Sequence, residues 1–145
     1  LSGHPEMNGG AIAAQYVKIG AAKCALPFWT ALFRGVLCNA LVCIAVWMAF
    51  AGRSVIDKAV AIVFPIAAFV AAGFEHSIAN MYIIPVAMLV KIFGTVAPGA
   101  GSVSWSGFAG NLVPVILGNI IGGSVLVGLV YHIIYKGAPN PNGEV

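Results

Sequence analysis

The sequence predicts an all-α membrane protein in which three segments cross the bilayer and the middle segment is a broken helix. Of the 145 residues, 61% are hydrophobic and 8% are charged, whereas a soluble domain carries about 25% charged residues. So little charge does not solvate a globular surface, but it suits a surface covered by hydrocarbon. The hydrophobic residues are gathered into three blocks, and polar residues interrupt the second block near its middle.

The blocks and their connections divide the chain into segments. In order they are an extramembrane or linker segment (1–25), a transmembrane helix (26–51), a polar connection (51–58), a broken transmembrane helix (59–90, interrupted at 73–80), a loop (92–107), a transmembrane helix (108–135) and a tail (136–145). The first segment could contain one short helix. Because a transmembrane helix needs about 20 apolar residues, each outer block is long enough and the middle block is too long for one ordinary span.

The first transmembrane helix is predicted from an uncharged run and the aromatic residues that flank it. Between Arg34 and Arg53 lie 18 residues without charge. Trp29 and Trp47 stand near the two ends, where interfacial aromatic residues are enriched. Asn39 lies in the middle of this helix. An amide at that depth either bonds to a neighbouring helix or lines a pore, and the residue spacing leaves both roles open.

The interruption of the second block carries Glu75 and His76. Ionisable groups inside a membrane segment cost about 2.5–3.5 kcal/mol each on insertion scales, so they normally face a bundle interior or a water-filled path. Gly73 permits the backbone to turn there. The N-terminus of the following half-helix would point N–H groups and a positive dipole end inward, which suits an anion. The alternative is a hydrogen-bonded histidine in a kinked helix, with Glu75 paired to a basic residue.

Small residues recur in the third block. Gly118, Gly122 and Gly123 form a GxxxG pattern, which predicts close packing against another helix. Asn119 lies within this pattern and could form a hydrogen bond across the same interface. We therefore expect Asn119 to support the helix packing around the site.

The motifs of common enzymes and metal sites are absent from the sequence, which has no phosphate loop, nucleophile elbow, HExxH motif or paired metal-ligand spacing. We therefore expect no metal, no cofactor and no enzyme activity. The net charge of +3 is scattered without a basic cluster, which excludes a nucleic-acid-binding surface. Lys23 and Arg34 flank the start of the first transmembrane helix, either as interfacial cations or as groups that attract anions to a pore mouth.

Two long stretches of the sequence resemble the formate/nitrite transporter family. They are GVLCNALVCIAVWMAFAGRSVIDKAVAIVFP, which begins at Gly35, and FVAAGFEHSIANMYIIPVAM, which begins at Phe69. The third block, with NLVPVILGNIIGGSVLVGLVY, resembles the last transmembrane helix of that family. The resemblance covers residues 20–136 and implies a homopentamer with an aquaporin-like helical bundle and one pore in each protomer.

Members of that family have six transmembrane segments in two inverted halves, and this chain resembles only the second, C-terminal half. The resemblance therefore implies a missing first-half segment, either in a longer chain or supplied by another chain. It also implies that the 51–58 connection and the tail are cytoplasmic and that the protein lies in a bacterial inner membrane.

The resemblance also assigns roles to residues of the first and second blocks. His76 matches the central pore histidine of the family, and Asn39 and Asn80 match polar groups beside it. Glu75 would then hold His76 or orient the break, rather than line the path.

The resemblance further suggests what lies above and below that centre. Phe69 resembles the aromatic residue of the cytoplasmic constriction, and Val42 resembles an apolar residue of the opposite constriction. Lys23 matches the lysine of the periplasmic vestibule.

The sequence and the resemblance together predict a passive or proton-coupled path for small monovalent anions of weak acids, such as formate or nitrite. His76 could lend a proton, so that the acid crosses an apolar constriction in its neutral form. Two alternatives stay open. The substrate could be hydrosulfide or another small weak acid, or the chain could be a structural membrane subunit that transports nothing.

Overall fold

The computed structural model describes residues 3–93 and 103–136, and all regular structure in these ranges is helical. The α-helices are α1 (Ala11–Cys24), α2 (Phe28–Ala51), α3 (Val55–Ala71), α4 (Ser77–Phe93), α5 (Trp105–Ile120) and α6 (Val130–Lys136). A 3-10 segment, His4–Gly10, precedes α1, and a π-helical segment, Ile121–Leu129, joins α5 to α6. The all-α prediction is confirmed.

The two outer blocks of the sequence correspond to the longest apolar helices. Phe28–Ala51 and the continuous helix Trp105–Lys136 are long and apolar enough to cross a membrane, while Ser77–Phe93 is apolar but shorter. The first prediction, 26–51, and the third, 108–135, therefore agree with the helix positions to within three residues at each end. The predicted loop lies mostly in residues 94–102 and the predicted tail mostly in 137–145, and both ranges fall outside the described residues.

The segment predicted as extramembrane or linker contains α1, which packs along α4. Val17 and Gly20 of α1 are buried, and a small apolar core lies beneath the helix, formed by Ile84, Ala87, Met88 and Val103. Residues 11–24 thus form the short helix that the sequence allowed for in this segment, and their small and apolar side chains fit against the apolar face of α4. The position of α1 relative to a membrane stays a prediction.

The connection before α3 is a compact helix cap. Ser54 is the N-cap, and its hydroxyl accepts a hydrogen bond from the Asp57 backbone N–H at 3.1 Å. The Asp57 carboxylate accepts in return from the Ser54 N–H at 2.9 Å. This reciprocal capping box starts α3 at Val55, because it satisfies backbone donors that would otherwise lack partners at the helix start.

The second block is interrupted between Ala71 and Ser77, and residues 72–76 are here called the break. Gly73 adopts a φ of 67°, and its N–H and that of Phe74 bond back to the last turn of α3, as in a Schellman cap. The turn at Gly73 is therefore confirmed. The predicted interruption, 73–80, was too long at its far end, since Ser77–Asn80 is already the first turn of α4.

A row of glycines brings α5 and the π-helical segment close to α2. A side chain at Gly118 would overlap the carbonyl oxygen of Leu32, and one at Gly122 would overlap that of Val36. Gly35 of α2 faces this row, and the three glycines are here called the glycine seam. The GxxxG prediction of close helix packing is confirmed, since only residues without a β-carbon allow this approach.

Candidate functional site

The break lies against the first half of α2 and is tied to it at two points. The Glu75 N–H donates to the carbonyl oxygen of Arg34 at 3.4 Å. The Arg34 guanidinium reaches the carbonyl oxygen of Gly73 at 3.5 Å. Both bonds satisfy backbone groups that an interrupted helix leaves without intrahelical partners. Arg34 therefore contacts the turn of the break rather than standing apart from it.

Asn119 joins the break to both long helices. Its amide nitrogen donates to the carbonyl oxygens of Gly35 at 2.9 Å and Glu75 at 3.1 Å. Its amide oxygen accepts from the Ser77 N–H at 2.9 Å. The side chain is almost fully buried, and its position in α5 beside Gly118 lets it reach α2 and the break together. Asn119 thus forms the expected hydrogen bond across the helix interface, and its supporting role at the site stays a prediction.

Glu75 is buried and forms an ion pair with Lys23 of α1. The Lys23 ammonium lies 3.0 Å from both carboxylate oxygens, and the two side chains are only 15% and 4% exposed. The sequence left open whether Glu75 pairs with a basic residue. In the structure it does, and the partner is Lys23. Because removing one member of a buried pair leaves an uncompensated charge, such pairs are costly to break.

Two further amides close this ion pair into a ring of hydrogen bonds. The amide nitrogen of Asn80 donates to Glu75 Oε2 at 2.6 Å and to Asn111 Oδ1 at 2.7 Å. The amide nitrogen of Asn111 donates to the backbone carbonyl oxygen of Lys23 at 2.9 Å. We call Lys23, Glu75, Asn80 and Asn111 the polar ring. The Asn80 amide oxygen is buried and has no partner among the described residues.

Asn111 is a site residue that the sequence reasoning missed. It is 1% exposed and stands eight residues before Asn119 in the third block. Residues at this spacing lie on the same side of a helix, so a second buried amide on the face of Asn119 was a usable signal. Asn80 is 0% exposed and its amide nitrogen contacts Glu75, while its expected place beside the pore stays a prediction.

His76 is a half-buried polar residue of the break. Its ring stacks on Phe69 of α3 with a centroid distance of 5.9 Å and an interplanar angle of 19°. Its Nδ1 accepts from the Ala79 N–H at 3.4 Å, so in the neutral ring the proton sits on Nε2. Nε2 makes no hydrogen bond with any residue in the described ranges. The structure therefore brings His76 and Phe69 together and leaves one donor of His76 available.

The start of α4 supplies fewer free donors than the sequence suggested. The N–H groups of Ser77, Ala79 and Asn80 are already bonded, to Asn119 Oδ1, to His76 Nδ1 and to the His76 carbonyl oxygen. An anion near this terminus would meet the positive end of the helix dipole rather than a set of open N–H groups. The polar contact that the break itself offers is His76.

The two predicted pore residues of α2 lie further along that helix. The amide nitrogen of Asn39 donates to the backbone carbonyl oxygen of Asn119 at 2.7 Å, so its described contact is with a neighbouring helix. Val42 is half-buried one turn later. The residues described by the structure contain no group of three or more His, Cys, Asp or Glu side chains that would hold a metal ion.

Comparison with known proteins identifies relatives over most of this chain. A family profile described as formate/nitrite transporter matches residues 2–133. The formate channel FocA of Escherichia coli (strain K12) is 47% identical over 118 residues, which cover 74% of this chain and 41% of FocA. A probable formate transporter of Methanothermobacter thermautotrophicus is 44% identical over 123 residues, which cover 84% of this chain and 41% of that protein.

A solved structure is similar in fold as well as in sequence. The structure described as a pentameric formate channel with formate bound superposes with a TM-score of 0.81 at 39% identity, covering 91% of this chain and 56% of that one. The chain thus spans about two fifths of the length of the relatives that it matches and about half of this solved chain.

Proposed function

Because the chain belongs to the formate/nitrite transporter family, we propose that it conducts small monovalent anions of weak acids across a membrane, with formate as the first candidate. The observation that carries this proposal is the position of His76. It stands in a break between two apolar helices, stacked on Phe69, with Nε2 unbonded among the described residues. A formate channel with 47% identity supports the choice of substrate.

The apolar residues on either side of His76 would exclude hydrated ions. In the proposed path Phe69 and Val42 form the two constrictions, as the family resemblance implies. An isolated carboxylate is poorly solvated in such surroundings, and its burial costs far more than that of the neutral acid. A weak acid that takes up a proton at the centre therefore passes where its anion does not.

His76 supplies the exchangeable proton in this proposal. In the imidazolium form Nδ1 also carries a proton and no longer accepts from the Ala79 N–H. Nε2 of that form donates its proton to a carboxylate oxygen of formate, so that the N–H bond breaks, an O–H bond forms, and the ring becomes neutral with its remaining proton on Nδ1. The ring then regains a proton from water on either side of the membrane. In the passive version of the path, the neutral ring offers only the Nε2–H hydrogen bond to the passing anion.

Glu75 and Lys23 support the path without entering it. Their opposite charges compensate one another within 3.0 Å, so the centre carries no net charge from this pair. The contacts of Glu75 with Lys23 and Asn80 hold the residue next to His76, which fixes where the imidazole stands. The family role of Lys23 as a vestibule cation, and those of Asn39 and Asn80 as polar groups beside the path, stay predictions.

The functional assembly that we propose is a homopentamer in a lipid bilayer, in the inner membrane of a bacterium. A solved pentameric formate channel with a TM-score of 0.81 supports this assembly. A first-half segment would complete each pore, since this chain spans 41% of the length of FocA. The crossing formed by α3, the break and α4 would then line the pore with one face of each half-helix.

Flux measurements on the full-length protein in liposomes test this proposal. We expect formate uptake in the wild type and a changed pH dependence of uptake in His76→Ala, because the group that exchanges the proton is gone. His132→Ala is the matched control, since His132 lies exposed on α6. An unchanged pH profile in His76→Ala would rule out the proton-transfer version.

Substrate competition separates the remaining alternatives. Nitrite and hydrosulfide are measured beside formate in the same liposomes. Faster flux of hydrosulfide than of formate would assign the chain to another weak acid. No flux of any of the three ions through folded, reconstituted protein would favour a structural subunit and overturn the proposal.

A further inference from the structure

The polar ring has a fixed direction of hydrogen bonding, and we propose that Asn111 is the positioning residue that sets it. In this reading Asn111 holds Asn80 with its amide nitrogen toward Glu75, so that Glu75 enters the ring only as a hydrogen-bond acceptor and stays the charged partner of Lys23. The proposal rests on the proposed function for its effect on transport, while the ring itself can be tested without transport.

The direction follows from one backbone atom. A carbonyl oxygen can only accept, so the group of Asn111 that lies 2.9 Å from the Lys23 carbonyl oxygen must be its amide nitrogen. The amide oxygen of Asn111 then necessarily faces Asn80. That oxygen is also an acceptor, so the facing group of Asn80 must be its amide nitrogen, at 2.7 Å.

The same amide nitrogen of Asn80 also faces Glu75. It lies 2.6 Å from Oε2, which must therefore act as an acceptor. The ring closes on its starting residue, because the Lys23 ammonium donates to both oxygens of Glu75 at 3.0 Å. Lys23 thus takes part twice: its backbone carbonyl oxygen can only accept, and its ammonium can only donate. Because the carbonyl oxygen orients Asn111, and Asn111 orients Asn80, the amide nitrogen of Asn80 is the group that meets Glu75.

The orphaned oxygen of Asn80 marks the orientation that Asn111 prevents. In the observed orientation Oδ1 of Asn80 is buried without a partner among the described residues. Turning the amide by half a rotation would place Oδ1 against Glu75, where it could accept from a protonated carboxyl group. The same turn would place Oδ1 against the oxygen of Asn111, so two acceptors would meet. Asn111 therefore blocks the arrangement that would accommodate a proton on Glu75.

Few other charged or titratable groups face Glu75, so the ring is well placed to control it. On α1 the facing group is Lys23 and on α2 it is the buried thiol of Cys38, while in the break His76 is the next residue along the chain. Arg34 meets the break through Gly73 and its own carbonyl oxygen. The remaining charged residues of the surrounding helices lie away from the break, at the start of α3 (Asp57, Lys58), on α1 (Lys18) and at the end of α4 (Lys91), and α5 carries none.

Infrared spectroscopy of the full-length protein reads the protonated carboxyl band directly. We compare the wild type with Asn111→Leu, which removes both ends of the amide, and assign the band with Glu75→Gln. We expect the midpoint of the Glu75 band against pH to lie about one unit higher in Asn111→Leu, a tenfold change in proton binding. Equal midpoints in the two proteins would overturn the proposal.

Two further variants keep the test decisive if Asn111→Leu folds poorly. Asn111→Ser keeps a polar group whose hydroxyl can donate or accept, so the ring loses its fixed direction while the position stays polar, and the same upward shift is expected. Asn80→Leu removes the amide that has to turn. When either Asn111 substitution is added to Asn80→Leu, the midpoint should stay where Asn80→Leu alone has it. A further shift beyond that of Asn80→Leu would show that Asn111 acts by another route.

Transport provides the second readout. In the Asn111 variants the pH profile of formate flux should move in the same direction as the infrared midpoint. An infrared shift without formate flux in any protein would contradict the proposed function but leave the role of Asn111 intact. Formate flux together with identical infrared midpoints in the wild type and the Asn111 variants would overturn the role of Asn111 and leave the proposed function intact.

Discussion

The polar ring and the glycine seam both hold helices together in this protein, but by opposite means. The ring joins α1, the break, α4 and α5 through charged and amide groups with defined donors and acceptors. The seam joins α5 to α2 by leaving side chains out, so that backbone meets backbone. The two regions adjoin at Asn119, which stands next to Gly118 and donates to Gly35.

The two regions differ in what they determine: the glycine seam sets the distance between two helices, and the polar ring sets the direction of hydrogen bonds. A seam of glycines specifies how near two helices come, but it carries no direction of charge or hydrogen bonding. A buried polar ring specifies direction, since every member must find a complementary group. Placing the ring at the end of the seam gives the break a close, stable support and gives His76 a defined electrostatic neighbour. Substitutions can therefore disturb one of these contributions and leave the other in place.

The largest effect is expected from enlarging the seam. In Gly122→Leu the new side chain overlaps the carbonyl oxygen of Val36, and backbone cannot yield as a side chain does. We expect the variant to yield no folded protein in detergent, because overlap with backbone is more severe than the side-chain overpacking that costs roughly 1–3 kcal/mol. Gly110→Ala is the matched control on α5, because nothing lies within 4 Å of its β-carbon position. Equal yields of the two variants would contradict a close-packed seam.

Breaking the ion pair between Lys23 and Glu75 should destabilise the fold less than enlarging the seam. A second substitution that removes the remaining charge should restore part of the lost stability. Lys23→Met or Glu75→Leu alone leaves one buried charge without its partner, for which about 3–5 kcal/mol is typical. The double variant removes both charges and should recover part of that loss. Unfolding free energies in mixed detergent, combined as a double-mutant cycle, measure the coupling. Additive losses would mean that the pair contributes nothing as a pair.

Asn119 lies between the two regions, and its replacement should disturb the break while leaving the seam packed. Asn119→Leu leaves the carbonyl oxygens of Gly35 and Glu75 and the N–H of Ser77 without their partner. Each buried unsatisfied group costs about 1–3 kcal/mol, offset in part by the apolar side chain. Asn119→Asp keeps the acceptor for Ser77 and loses both donations. Hydrogen exchange should therefore increase at Ser77 in the Leu variant and change less there in the Asp variant.

The smallest effect is expected at the cap of α3, outside both regions. Hydrogen bonds from the Ser54 and Arg53 backbone lower the pKa of Asp57 below its ordinary value of 3.8. A carboxyl group with a lowered folded pKa stabilises the fold above its unfolded pKa, and this contribution is lost as the pH falls through the folded value. Protection factors, which correct exchange for its intrinsic dependence on pH, should therefore fall at acidic pH in the first turn of α3 in the wild type and change little with pH in Asp57→Asn.

The sequence predicted the elements of the fold better than their arrangement. Composition and uncharged length located α2 and the helix from α5 to α6, because hydrocarbon solvation acts on every residue of a span in the same way. Gly73 located the turn of the break for an equally local reason, a backbone conformation that other residues resist. The π-helical segment Ile121–Leu129 left no such signal, since its residues are apolar and small like those around it.

The site was predicted in part. Glu75 and His76 were identified because ionisable residues are conspicuous in an apolar block. The partner of Glu75 was left open, as Lys23 stands 52 residues earlier and pairing over that distance depends on how α1 crosses α4. Asn111 was overlooked and Asn80 was expected beside a path, because a buried amide and a pore-lining amide look alike in sequence.

What the sequence by itself determined is therefore the set of helices, the place of the break and the family. These depend on local or additive properties, namely hydropathy summed over a span, backbone freedom at Gly73 and the order of residues in long motifs. Only the tertiary structure decided which groups meet. The ion pair of Lys23 with Glu75, the direction of the polar ring and the stacking of His76 on Phe69 are pairwise contacts between separate helices. Such contacts depend on where the helices lie to within a few tenths of an ångström, and close packing of the whole bundle sets these positions.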